Sequence, residues 1–292
     1  MPEPRRSAVP RHHAARRAII ADYSDSAVIG QTLGRYRVVA KTAAESAVAL
    51  DPNSAEAHAV LAYISQNYDW DRGGAERLFR RAIDLNPNYA RAHQNYAWHL
   101  AAVGRHDEAR REIERARDLD PLSLIINHNV GWLAWYAREF DRAVVAYRRT
   151  LDLDANFANA HLSLGQALVM MGQPAAGIAE MEKMIQLAGR GTVAIGSLGY
   201  ARALARDRQG AEAIVRELLD RSKERHVPGY WVAVAYAGLG ERDQVFAWLD
   251  RAFADREGIL VTLNVDPFFD RVRDDPRFER LIARIGFVQS VK

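Results

Sequence analysis

His58, His93 and His161 stand at one equivalent place in a repeat set out below, so metal binding is the first chemistry to test. Neighbouring repeat helices pack about 8–10 Å apart, whereas zinc–nitrogen bonds are about 2.0–2.1 Å. Equivalent side chains on successive repeats therefore cannot share an ion. His12-His13 sits in a Pro/Arg-rich stretch and makes a poor site. Gly189-Arg-Gly191 and Gly196-Ser-Leu-Gly199 have glycines spaced as in a phosphate loop or a nucleophile elbow. Both motifs need a preceding strand, and none is predicted. Carboxylates such as Glu108 and Glu114 lie on exposed helix faces, while paired acid–base catalysis needs a closed pocket. No catalytic residue, metal or cofactor is expected.

Composition narrows the classes further. The 292 residues contain no cysteine, which excludes disulfide frameworks, thiolate metal centres and Cys nucleophiles. Net charge is +3, too balanced for a nucleic-acid binder. That charge is uneven, with +5 in residues 1–41 and −2 in the rest. No run of 18 apolar residues exists to span a membrane. Residues 1–20 mix Pro, Arg and His without apolar periodicity until Ile19-Ile20, and they lack the apolar core of a signal peptide. We read residues 1–42 as a basic, mostly disordered tail and expect a cytoplasmic protein.

The elements that position these side chains follow from a period of 34. Ala97, Gly131, Gly165 and Gly199 recur at that spacing, and Ala233 continues the series. Small residues recur again at Ala109, Ala143, Gly177 and Ala211. Gly104, Gly172 and Gly240 fall at multiples of the same period, with Arg138 and Arg206 between them. One copy shows the physics. Asn88 can cap a first helix that Gly104 ends. A second helix, His106–Leu119, carries Ala109, Ile113, Ala116 and Leu119 at helical spacing and stops at Asp120-Pro121. Small residues let the two helices approach closely. One such hairpin cannot bury both its faces, so it must stack on neighbours.

The pattern resembles the tetratricopeptide repeat. The residues that carry the resemblance are Leu164-Gly165, Ala75-x3-Phe79 with Ala82 and Pro87, and Ala109-x3-Ile113 with Ala116 and Pro121. It implies an all-α, right-handed solenoid over 43–288, with a half-repeat at 43–54, six repeats over 55–257 and a C-terminal cap at 258–288. The first copy has one extra residue within Tyr68–Gly74, which predicts a longer inter-helix loop. The last three copies have Gly189, Lys223 and Glu257 in place of the closing proline. His58, His93 and His161 then stand where the family has its tryptophan, packed inside each hairpin. Val265-Asp-Pro-Phe-Phe through Ile285-Gly286 resembles the closing segment of such regions in bacterial signalling proteins. Asp275 can cap a short helix whose Phe278, Leu281, Ile282 and Ile285 cover the open end of the stack.

In this family the first helices line a concave groove that binds peptides. In the third copy Asn127, Val130, Gly131 and Ala134 form a face suited to the hairpin interior. His128, Trp132, Trp135 and Tyr136 form a second, aromatic face. Equivalent places elsewhere hold Tyr63, Gln94, Trp98, Gln166, Met170 and Tyr200. These ten residues are the candidate groove, with Trp135 and Tyr136 expected to anchor ligand and Trp132 to share ligand and core. The alternative, that the rings fill space between first helices, stays open. A lysine clamp for C-terminal carboxylates is missing, since Gln94, His128 and Leu162 hold its places. The implied function is a non-catalytic adaptor for a protein or peptide segment. Self-association through an exposed end also stays open.

Ile29-Gly-Gln-Thr-Leu-Gly-Arg-Tyr-Arg-Val-Val-Ala-Lys41 resembles the opening strand of bacterial Ser/Thr protein kinases. No glycine-rich loop follows it, and no H-R-D or D-F-G motif appears, which excludes kinase activity. The segment is either chance or a remnant, and the second case would make the repeats the regulatory part of a signalling protein such as a kinase or winged-helix regulator.

Overall fold

A computed structural model describes residues 31–286 of the chain. A first helix, α1 (Gln31–Leu50), precedes six helical hairpins. These are α2 (Ala55–Ile64) with α3 (Arg72–Leu85), α4 (Ala90–Ala102) with α5 (His106–Leu119), and α6 (Leu124–Tyr136) with α7 (Phe140–Leu153). Then come α8 (Ala158–Met170) with α9 (Pro174–Ala188), α10 (Thr192–Leu204) with α11 (Arg208–Glu224), and α12 (Gly229–Leu239) with α13 (Arg242–Ala254). Two 3-10 helices, Gly258–Thr262 and Pro267–Val272, lead to α14 (Pro276–Arg284). No strand occurs among the described residues.

The recurring small residues do what the spacing predicts. A Cβ on Gly165 would lie 2.6 Å from the Gly177 carbonyl oxygen, so α8 and α9 cross with their backbones nearly touching. The punctuating positions share one conformation as well. Gly104, Arg138, Gly172, Arg206 and Gly240 all have positive φ, from +61° to +83°, and each turns the chain between its two helices. Glycine adopts that region without cost, whereas arginine accepts a modest penalty.

Four sequence expectations are corrected. The extra residue of the first copy does not lengthen a loop. It widens the helix end into a π turn, Ser65–Asp69, and Trp70 (φ +58°) takes the left-handed position. Asn88 does not cap α4. The cap position is Tyr89, and the Asn86 side chain instead accepts the Asn88 N–H at 3.1 Å. Residues 31–41, likened to a kinase opening strand, are helical, so ordered helix begins well before residue 43. The C-terminal segment also does more than cap the stack. Residues 1–30, with His12-His13 and most of the basic tail, and residues 287–292 lie outside the described residues.

The end of the chain works in two parts. In α14, Asp275 accepts the Arg277 N–H at 2.9 Å, and Phe278, Leu281, Ile282 and Ile285 are buried. Its outer rim holds α13 through Arg277 over Phe246 and Arg284 over Phe253, 4.4 and 4.2 Å from the ring centres. Residues 256–272 instead turn into the solenoid. Arg256 stacks on Trp70 at 4.6 Å, and Trp70 meets Phe253 at 5.4 Å. Arg72 Nη1 donates to the Gly286 carbonyl at 3.1 Å. The first hairpin thus touches the last, and the stack closes on itself.

Candidate functional site

Each second helix packs on the next first helix, and first helices also pack on one another along α4–α6, α6–α8, α8–α10 and α10–α12, so first helices form the inner wall. Polar rungs join them. His99 Nδ1 pairs with Gln66 Oε1 at 3.0 Å, His128 Nε2 with Ser163 Oγ at 2.9 Å, and Gln166 Nε2 donates to Ser197 Oγ at 2.8 Å. The sequence reading missed these rungs, although Ser163 and Ser197 stand one period apart. Burial pushes the His99 and His128 imidazoles down to about 4, which keeps both neutral near pH 7.

The histidines tested for metal serve their own hairpins. His93 Nδ1 pairs with Glu112 on α5 at 2.6 Å, and its Nε2–H donates to the Pro87 carbonyl at 3.0 Å. His161 repeats the arrangement with Glu180 and Ala155 at 2.6 and 2.9 Å. In the same place Asn127 donates to the Pro121 and Ser123 carbonyls, while His58 Nδ1 pairs with the Ser54 carbonyl at 2.9 Å. Among the described residues, His226, Asp255 and Glu257 bring possible ligand atoms within 4.8 Å of one another. Glu257 is already engaged there, accepting the Gly229 and Tyr230 N–H groups at the start of α12.

The ten groove candidates divide into two sets. Tyr63, Gln94, Trp98, Trp132 and Met170 are half-buried on the inner wall. His128, Trp135, Tyr136, Gln166 and Tyr200 are buried. For Trp135 and Tyr200 the cover is the C-terminal segment. Phe268 packs on Trp135 and Tyr200 with ring centres at 5.0 and 4.8 Å, and closes that part of the wall. Arg138 holds the segment by a two-bonded pair to Asp270. Towards the N-terminal end, Trp98 and Trp132 lie 4.7 Å apart beside a shallow notch lined also by Gln94 and Asn129. The Trp98 indole N–H is buried without an acceptor.

Two carboxylates of the segment, Asp266 and Glu257, face the solenoid. Burial pushes Asp266 up to about 6, against its bonds from the Tyr230 hydroxyl and Phe268 N–H. Burial likewise pushes Glu257 up to about 7. Carboxylates with raised values stabilise the fold fully below their unfolded range and lose that contribution as pH rises through the folded value. Buried neutral histidines act oppositely, adding stability as pH climbs from about 4 to 6.5. That gain continues until the unfolded imidazoles are deprotonated, at about pH 7.5, and offsets much of the carboxylate loss. The melting temperature of the wild type should therefore fall relative to that of Glu257→Gln between about pH 4.5 and 7. A constant difference between the two over that range would contradict this.

Tetratricopeptide-repeat models match residues 71–125 and 131–192. The tetratricopeptide repeat-containing protein trd-1 of Caenorhabditis elegans is 28% identical over 123 residues, covering 42% of this chain and 15% of that protein. The type IV pilus assembly protein PilF of Pseudomonas aeruginosa is 28% identical over 131 residues, covering 44% of this chain and 52% of that protein. The chain thus spans about half of one curated relative and a small part of the other. The solved structure of PilF has a TM-score of 0.51 at 23% identity, covering 70% of this chain and 91% of that one. A tetratricopeptide repeat protein from Parabacteroides merdae reaches 0.60 at 13% identity, covering 86% of this chain and 100% of that one. At such identities the likeness shows the fold alone, and no catalytic family is indicated. No helix among the described residues is long and apolar enough to cross a membrane. Residues 71–125 and 131–192 are tetratricopeptide repeats, and the chain is an all-helical solenoid built around them, a fold suited to protein–protein interaction.

Proposed function

We propose that this protein is a non-catalytic adaptor that binds a partner segment on the open, N-terminal part of its inner wall. The observation that carries this reading is the row Tyr63, Trp98 and Trp132. These are equivalent residues of three successive repeats, half-buried where the matching Gln166 and Tyr200 are covered. Tryptophan and tyrosine supply large contact area at low entropic cost and dominate recognition hot spots. Gln94 and Asn129 beside these rings can bond an extended backbone. The helical backbone of residues 31–41 gives no support to the alternative that the repeats regulate a kinase.

Affinity capture from the source cell tests the reading, with Trp98→Ala set against Arg149→Ala on the exposed side of α7. Loss of a hot spot costs about 2 kcal/mol or more, so recovery of a specific partner should drop at least tenfold for Trp98→Ala alone, with a loss of melting temperature well below that of Trp135→Ala. Equal recovery by both variants would remove the inner wall from the binding surface.

A further inference from the structure

We propose that the inner wall of α6, α10 and α12 is a recognition surface for a segment bearing phenylalanine between two aspartates, filled in cis by Asp266–Asp270 and taken by a partner segment of the same chemistry when the C-terminal segment lifts. The inference deepens the adaptor reading, which it assumes, but concerns a different part of the wall. The chain's own residues show what the surface selects. Phe268 enters a box of Trp135, Tyr200 and Trp231, with ring centres at 5.0, 4.8 and 6.4 Å, drawn from three separate first helices. Two residues on, Asp270 takes the Arg138 guanidinium through Nε at 3.0 Å and Nη2 at 2.6 Å, a fork that fixes direction as well as position. Two residues before, Asp266 accepts the Tyr230 hydroxyl and, at 3.0 Å, the Phe268 N–H.

These contacts are not those of another repeat. The segment has no hairpin, only two 3-10 helices of 5 and 6 residues. It leaves the solenoid through Asp255–Glu257, where Arg256 holds a left-handed φ of +53°. Asp266 is the one carboxylate among the buried residues described. A carboxylate there costs stability that an apolar side chain would not, and it marks the register of the segment on the wall. The intrachain contact outcompetes a free partner by proximity, so a partner gains the surface only as the segment opens.

The test uses the full chain and a blocked synthetic peptide of residues 265–274. Titrated by tryptophan fluorescence, the peptide should bind the Phe268→Ala/Asp270→Ala protein at least tenfold more tightly than wild type. A peptide carrying the same two alanines should not bind. Equal affinity for the two proteins, or equal binding by the two peptides, would overturn the proposal. Wild-type hydrogen exchange decides the matter even if the double variant does not fold. Amides of 258–272 should exchange at least tenfold faster than those of α6, α10 and α12, and exchange at a common rate would show a permanent core element. Trp98→Ala should leave peptide binding unchanged, so failure of the adaptor site and failure of this one are read separately.

Discussion

Trp135→Ala should lower the unfolding free energy by about 3–5 kcal/mol, the range of large-to-small aromatic changes in a core. Trp135 is 4% exposed, with its ring against Phe140 at 5.5 Å and Phe268 at 5.0 Å. Its position on the outer part of an aromatic helix face had marked it as a ligand anchor whose loss would spare stability. The wall it faces is occupied by the chain's own phenylalanine, and truncation leaves a cavity between α6 and the C-terminal segment. Urea denaturation would show the change as a shifted midpoint at constant slope. A loss below about 1 kcal/mol would mean that the segment does not rest on Trp135 in solution.

Gly165→Ala should also destabilise, by about 1–3 kcal/mol, although alanine normally favours a helix over glycine by about 1 kcal/mol. The added Cβ would sit 2.6 Å from the Gly177 carbonyl oxygen and 2.9 Å from Met181 Cγ. The first of these is backbone and cannot rotate away. Gly73 supplies the contrast, being also helical, with its nearest neighbour the flexible tip of Arg77 at 3.5 Å. Gly73→Ala should leave the melting temperature unchanged or slightly raised. A stabilising Gly165→Ala would show that α8 and α9 can separate without loss.

How much of this could be read beforehand depended on range along the chain. Ala97, Gly131, Gly165 and Gly199 report a contact made inside every hairpin, so repetition exposed it. Asp275-Pro276 carries its cap within three residues and was legible for that reason. The extra residue of the first copy was visible, but its destination was not, because a loop and a π turn absorb one residue equally well. The split among the groove candidates was hidden for a different reason. Whether Trp98 or Trp135 faces solvent is decided by Phe268, more than 130 residues away, and no local pattern announces that meeting.

The closure of first hairpin on last changes the folding problem. An open solenoid is quasi-one-dimensional, can nucleate anywhere and spreads by nearest-neighbour contacts of short loop length. Here Arg72 meets Gly286 across 214 residues, and Trp70 meets Phe253. Contacts of that separation carry a large loop-closure entropy unless the intervening hairpins are already assembled. They therefore form last, lengthen the path to the native state as high contact order does, and bind the two ends into a single cooperative unit.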